Sequence, residues 1–229
     1  MKKYVIIVAG GKGLRMGTEL PKQFLLLQGL PVLMHTLNAF FSYDPNISIV
    51  LVLPREHQNY WKELCKKHDF TIGHQIVDGG ETRFHSVKNG LEAISGVNQE
   101  EVLIGIHDGV RPLVSKGVIG RCFDMAAQEG GAFPVIPVTD TLRKKEGVGS
   151  FTVNRADYCL VQTPQVFRSN IIYEAFRQPF SDAFTDDVSV VEALGKYRIV
   201  EVEGERENIK ITAPLDLRIA ETFFKHIDT

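Results

Sequence analysis

The apolar positions along the chain fall into short unbroken runs separated by longer segments of helical spacing. Residues 4–9 form a continuous apolar run, and residues 47–53 (ISIVLVL) form another. Runs of this kind suit strands covered on both faces, whereas a half-exposed strand alternates apolar with polar. Residues 102–107 and 132–138 (AFPVIPV) read the same way, and residues 75–77 as a shorter strand. Between these runs, residues 33–41 have helical spacing and residues 56–68 are amphipathic. Residues 82–94 and 118–128 are also helical, the latter ended by Gly130 and Gly131.

This alternation predicts an α/β fold. The expected architecture is a doubly wound, mainly parallel sheet of Rossmann-like type, with ligands beyond the carboxyl ends of its strands. Residues 139–155 (TDTLRKKEGVGSFTVNR) break the pattern: they are polar, with Gly147 and Gly149 at a turn, and read either as an extended hairpin or as a surface loop. The last stretch (ITAPLDLRIAETFFKHIDT) reads as a strand end and a closing helix, with Pro214 in its first turn. A length of 229 residues suits one α/β domain over 1–229 and is short for two.

Composition narrows the function classes. A hydrophobic share of 44% with 24% charged residues is ordinary for a globular domain. The net charge of −2 lacks the basic footprint of a nucleic-acid binder, so an anionic substrate must be held by local cations. Cys65, Cys122 and Cys159 are odd in number and far apart, and are expected as reduced, mostly buried thiols. The first residues run directly into a strand, and their apolar run is too short for a signal peptide or a membrane span. The expected place is the cytoplasm, with no membrane partner.

Four clusters carry candidate chemistry. The first is Ala9-Gly10-Gly11-Lys12-Gly13-Leu14-Arg15, followed by Pro21-Lys22-Gln23. Glycines just after a first strand let the backbone approach a polyphosphate, and Arg15 and Lys22 add cations beside the same loop. The plain reading is a tight turn with two solvated cations, but the Arg and Pro-Lys-Gln cluster argues against it. No Walker loop follows, and a dinucleotide fingerprint would need a third glycine.

The second cluster, Gly79-Gly80-Glu81-Thr82-Arg83, precedes a helix carrying His85 and Ser86. Its glycines permit close approach to a flat base, with Glu81 and Ser86 reading its edge. The alternative is a capped helix start with Glu81 at the positive dipole end. In the third, His107-Asp108-Gly109-Val110-Arg111, Asp108 could accept a ribose hydroxyl, lie beside a Mg²⁺–triphosphate, or simply pair with Arg111. His107 reads as a core histidine.

The fourth group gathers Asp140-Thr141, Asn154-Arg155, Gln162-Thr163-Pro164-Gln165, Thr185-Asp186-Asp187 and Glu207-Asn208-Ile209-Lys210-Ile211-Thr212, polar clusters beside apolar runs. Arg155 and Lys210 could clamp a second phosphate. Asp186–Asp187 reads as a helix cap in preference to a metal pair, because a helix-like VSVVEALG follows.

Taken in order, AGGKGLRMG, PKQF, GGETRFHSV, HDGVRP, TDT, NRADYCLVQTPQVF, FTDDVSVVE and ENIKIT resemble the sugar-nucleotidyltransferase-like fold over nearly the whole chain. The resemblance is closest to the 2-C-methyl-D-erythritol 4-phosphate cytidylyltransferases of isoprenoid-precursor synthesis. It implies transfer of CMP from CTP to methylerythritol phosphate, with Mg²⁺ held mainly by phosphates and at most Asp108 as a protein ligand. It assigns Arg15 and Lys22 to the charge at the α-phosphate, and Arg155 and Lys210 to the alcohol's phosphate. Ala9, Gly10, Gly11, Gly13, Gly80, Glu81, Ser86 and Asp108 would bind the nucleotide. Asp108, Arg111, Asp140, Thr141, Thr163 and Thr185 would surround the second substrate. The arm at about 139–155 would cross a homodimer, so that Arg155 serves the neighbour's site.

Two departures stand out: HDGVRP replaces the usual HDAARP, and Glu81 replaces the usual Asp. Ribitol-5-phosphate cytidylyltransferase shares AGG, PKQF and QTPQ, but FTDDVSVVE and the compact length favour the methylerythritol enzyme. A silent subunit of the same fold is opposed by Arg15, Lys22 and Lys210. A nicotinamide dehydrogenase is opposed by residues 47–53 running into Pro54-Arg55 where an acidic residue belongs.

Overall fold

The computed structural model describes residues 1–11, 20–94 and 101–227. Strand β1 (Lys3–Val8) leads to a 3₁₀ turn (Lys22–Phe24) and a small ribbon of β2 (Leu26–Leu27) and β3 (Leu30–Pro31). Then follow α1 (Val32–Tyr43), β4 (Ser48–Leu53), α2 (Arg55–Lys67), β5 (Gln75–Asp78), α3 (Arg83–Ile94), β6 (Leu103–Asp108), α4 (Lys116–Glu129) and β7 (Gly131–Pro137). A hairpin of β8 (Arg143–Glu146) and β9 (Gly149–Thr152) precedes β10 (Cys159–Val161), β11 (Gln165–Arg168), α5 (Ser169–Ala175) and α6 (Asp187–Glu192). The described chain closes with β12 (Val200–Glu203) and α7 (Pro214–Ile227).

The main sheet runs β10-β7-β11-β6-β1-β4-β5, with β12 alongside β7. β1 lies between β4 and β6, parallel to both. Its apolar run is buried on both faces, and successive side chains divide between two cores. Val5 and Ile7 join Leu33, Trp61 and Phe123 from α1, α2 and α4, while Tyr4 and Ile6 join Val87, Leu91 and Val190 from α3 and α6. Each such Val or Ile, fully buried, stabilises the fold by roughly 1.5–3 kcal/mol. The unbroken apolar runs are therefore a direct product of the two helical layers.

The sheet departs from the parallel expectation on one side. β11 is antiparallel to both β6 and β7, and β10 is antiparallel to β7. These strands have three or four residues and no period of their own, so no apolar run announced them. The segment at 139–155 is a hairpin, and all the residues of β8 and β9 are exposed. The strand end expected just before α7 is absent, since residues 209–213 form no strand. There Ile211 N–H donates to Val110 O, and Asp216 accepts from the N–H groups of Thr212 and Ala213 to close the helix start. Of the three thiols only Cys122 is fully buried; Cys65 and Cys159 are half-buried. Burial pushes Cys122 up to about 12 and Cys65 up to about 11, so neither thiol ionises near neutrality.

Candidate active site

The carboxyl ends of β1, β5 and β6 open into a cavity of about 280 Å³. Its wall includes Ala9, Gly10, Gly11, Lys22, Gly80, Glu81, Ser86, Asp108 and Lys210. A second cavity of about 290 Å³ adjoins it, lined by Asp108, Arg111, Thr163, Thr185 and Lys210 among others. Asp108, Lys210 and Arg83 belong to both walls. Gly13 and Arg15 lie outside the described residues. Asp140, Thr141 and Arg155 line neither cavity: all three are exposed on the arm, where Arg155 donates to Thr139 O.

The wall of the first cavity is built from strand ends. Ala9 N–H donates to Val52 O at 3.0 Å, and Ala9 O accepts from Gln23 Nε2 at 2.9 Å. Ala9 is thus already engaged at both backbone groups. These bonds hold the strand end in place, while the Ala9 carbonyl keeps a second lone pair on the cavity wall beside Gly10 and Gly11. Lys22 is almost fully buried, and a Cβ added at Gly11 would lie 3.6 Å from its Cε. The ammonium stem therefore runs beside the glycine turn.

Opposite, Gly80 N–H donates to Ser86 Oγ at 3.0 Å, which leaves the Ser86 hydroxyl proton to find an acceptor. A Cβ at Gly80 would stand 2.5 Å from His85 Cβ and 2.7 Å from its carbonyl carbon, so only glycine fits against the first turn of α3. Thr82 caps that turn through its hydroxyl, which accepts from His85 N–H. Glu81 is left exposed at the cavity rim.

Asp108 is the electrostatic centre. Its Oδ2 lies 2.9 Å from Lys210 Nζ and 3.4 Å from Arg111 Nε, and its Oδ1 lies 3.7 Å from Arg83 Nε. Burial alone would raise this carboxyl, but Arg83, Lys210 and Arg111 together hold it well below the usual carboxylate range. Arg111 is fixed by a second bond to Asn208 O at 2.7 Å. Of its roles foreseen from sequence, the structure displays the internal one.

Thr163 is similarly engaged. Its Oγ1 accepts from Asp108 N–H at 3.1 Å and donates to Nδ1 of His107 at 3.0 Å, while His107 Nε2–H donates to Arg111 O. His107 is a core residue with both ring nitrogens bonded, and burial pushes it down to about 4. Asp186 is the N-cap of α6, in a reciprocal capping box with Ser189. Asp187 accepts from Arg83 at both carboxylate oxygens.

Several residues of the polar clusters have roles that the sequence did not assign. Gln162 donates to Glu205 O and Asn208 donates to Thr163 O, tying the segment after β12 to the strand end before β11. Gln165 Oε1 accepts from the N–H groups of Asp187 and Val188, securing the start of α6. The glutamines of QTPQ were visible in the sequence, but their side-chain partners lie between 21 and 46 positions away, beyond any local pattern.

A sequence profile of the family described as 2-C-methyl-D-erythritol 4-phosphate cytidylyltransferase (IspD) matches residues 3–226. The enzyme of that name from Bacteroides thetaiotaomicron is 57% identical over 219 residues, spanning 96% of this chain and 98% of the relative. That from Phocaeicola vulgatus is 55% identical over 221 residues, spanning 96% and 99%. The crystal structure of the cytidylyltransferase from Thermus thermophilus matches with a TM-score of 0.78 at 34% identity, covering 97% of this chain and 98% of that one. The 4-diphosphocytidyl-2C-methyl-D-erythritol synthase of Anaerococcus prevotii matches with a TM-score of 0.82 at 27% identity, covering 98% of each. A profile match that runs from β1 into α7 takes in both cavities and every element that builds them. The chain belongs to the 2-C-methyl-D-erythritol 4-phosphate cytidylyltransferase family.

Proposed function

We propose that this chain transfers CMP from CTP to 2-C-methyl-D-erythritol 4-phosphate, with the nucleotide in the cavity at the glycine turn and the alcohol phosphate in its neighbour. The observation that carries this reading is the pair of adjoining cavities with Asp108 and Lys210 on their common wall. A transfer between two phosphorylated substrates needs two sites that meet where charge accumulates.

In the reaction, a phosphate oxygen of the alcohol forms a bond to the α-phosphorus, and the bond from that phosphorus to the bridging oxygen breaks to release pyrophosphate. Positioning and charge stabilisation dominate such a step. A phosphate monoester is largely ionised at neutral pH, so the nucleophile requires no general base. Lys22 meets the charge on the triphosphate side, and Lys210 the phosphates at the junction. Arg15 is assigned to the same duty on the strength of the family resemblance. The wall formed by Gly80, Glu81 and Ser86 reads the cytosine edge.

Mg²⁺ fits this donor set as an ion carried mainly by phosphate oxygens, since Asp108 is a hard oxygen ligand at the junction. When bound it would neutralise phosphate charge. The arm supports a homodimer in which Arg155 completes the neighbour's alcohol-phosphate site. Val148, Phe151, Tyr158, Leu160 and Val161 are exposed on the arm and the nearby sheet edge, an apolar surface that a second copy would cover. The enzyme is assigned to the cytoplasm from the sequence. No helix among the described residues is long and apolar enough to cross a membrane.

One assay decides the reading. Purified protein, Mg²⁺ and CTP should release pyrophosphate with methylerythritol phosphate and not with ribitol 5-phosphate, and UTP should replace CTP poorly. A pocket whose polar groups match cytosine leaves them unpaired with uracil. Equal turnover of both nucleotides would remove the base-reading role from Gly80, Glu81 and Ser86.

A further inference from the structure

Arg83 opens α3, where a first-turn arginine ordinarily points to water; the positive end of the helix dipole gives it no support there. Here its guanidinium forks onto Asp187, 104 positions away, with Nη1 2.8 Å from Oδ1 and Nη2 2.6 Å from Oδ2. Asp187 is itself fully buried at the start of α6, and its N–H is held by Gln165 Oε1 at 2.9 Å. The neighbouring Asp186 accepts from Gln165 Nε2 and caps α6. The anchor beneath Arg83 is therefore rigid.

With both terminal nitrogens on Asp187, the remaining Nε edge faces Oδ1 of Asp108 at 3.7 Å. The two oxygens of Asp108 are divided: Oδ1 faces Arg83, and Oδ2 faces Arg111 and Lys210. Among these cations Arg83 and Arg111 each have a second fixed partner in the protein. Lys210 has the most exposed side chain of the three, at 41% against 30% and 11%. It is the cation best able to turn from Asp108 toward an incoming phosphate. When it does, Asp108 still needs countercharge on both oxygens to keep its position.

We propose that Arg83 is a positioning residue: anchored by Asp187, it fixes the carboxylate of Asp108 on the wall common to both cavities while Lys210 engages an anionic substrate. This rests on the two-cavity reading given above. A planar fork is required, because a lysine ammonium could supply charge to Asp108 or to Asp187 but could not align both. Asp187 and Asp108 together also hold the Arg83 guanidinium more firmly protonated than usual, although burial opposes it.

The test compares Arg83→Lys, Arg83→Gln and the double variant Arg83→Met/Asp187→Leu in the full-length protein, with pyrophosphate release from CTP and methylerythritol phosphate as readout. The two single variants should each lose roughly thirtyfold or more in turnover, with the KM for CTP changed by less than about threefold, the signature of an effect confined to the transition state. Replacing a buried ion pair with apolar residues commonly preserves stability, so the double variant should melt near wild type yet turn over at less than about a tenth of its rate. A double variant matching wild type in both melting and turnover would reduce the pair to scaffolding and overturn the proposal. Wild-type turnover in Arg83→Lys, which keeps the charge and loses the fork, would overturn it equally. Failure of the wild-type protein itself to release pyrophosphate would defeat the two-cavity reading instead.

Discussion

Lys210 Nζ stands 2.9 Å from Oδ2 of Asp108, joining the segment after β12 to the carboxyl end of β6 at the meeting point of the two cavities. A carboxylate surrounded by Lys210, Arg83 and Arg111 keeps those cations from repelling one another before substrate arrives. Asp108→Asn removes the charge and retains the shape. Two of the three cations reach solvent in part, so the expected loss of stability is about 2 kcal/mol, below that of a fully enclosed pair. Turnover should fall about a hundredfold, the scale of losing one preorganised electrostatic element. Thermal melting with and without inorganic pyrophosphate checks the origin: the variant should gain more from the anion than wild type does.

Lys22 is nearly buried beside Gly11 on the nucleotide-side wall. A cation enclosed there stabilises charge that grows as the α-phosphate becomes five-coordinate. Lys22→Ala should therefore lose about 3 kcal/mol of transition-state stabilisation, roughly a hundredfold in turnover. The KM for CTP should change little. A raised KM at unchanged turnover would mark Lys22 as a simple triphosphate anchor.

Gly109 sits where β6 meets β1. A methyl group there would lie 2.9 Å from Ala9 Cβ, 3.0 Å from Leu33 Cδ1 and 3.2 Å from Val8 O. Leu33 can rotate away, but the strand end carrying Val8 and Ala9 cannot move without shifting the lip of the nucleotide cavity. Gly109→Ala should cost about 1–3 kcal/mol by overpacking and raise the KM for CTP more than it lowers turnover. The methyl that the usual HDAARP carries at this position is thus disfavoured by the local packing of this chain.

His107 makes acid stability measurable. Its folded-state pKa, near 4, lies below its unfolded value, so the unfolded chain takes up a proton that the native state refuses. Its contribution is complete above the unfolded pKa of about 6.5 and is lost as pH falls from there toward 4, to a total of about 3 kcal/mol. The depressed carboxyl of Asp108 acts at lower pH, beneath this window. In His107→Gln, whose amide can donate to Arg111 O, melting temperature should fall less steeply between about pH 6.5 and 4.5 than in wild type.

Subunit mixing tests the arm. Arg155→Ala and Lys22→Ala proteins should each be nearly inactive. If Arg155 serves the neighbour's site, random exchange gives mixed dimers with one intact site, and about a quarter of wild-type activity per site should return. If Arg155 acts within its own chain, every mixed site carries a defect. No recovery despite verified exchange would then exclude the shared site.

What the sequence disclosed depended on the range of each interaction. The buried strands were legible because β1 and β4 are covered on both faces and so read as unbroken apolar runs. The Asp186 cap was legible because its partner Ser189 lies three positions away. Arg83, Gln162, Gln165 and Asn208 were printed in plain view, but their partners are supplied by the topology. The antiparallel strands β10 and β11 are too short to show a period, and their pairing is decided by β6 and β7. Arg155 illustrates the opposite case: its place on the arm was legible, and there its guanidinium donates to Thr139 O.

The position of β1 at the middle of the sheet has a consequence for synthesis. β1 leaves the ribosome before either of its neighbours, since β4 emerges only after α1 and β6 only after α3. The Asp108–Lys210 contact and the Val110–Ile211 backbone bond come later still. A nascent chain therefore exposes an unpaired, largely apolar strand until β4 and β6 have been made, the kind of segment that invites association with other chains or shelter by a chaperone. It can have no complete nucleotide site until Ile211 has cleared the exit tunnel. Folding of the first half and acquisition of activity are thus separate events in the life of each molecule.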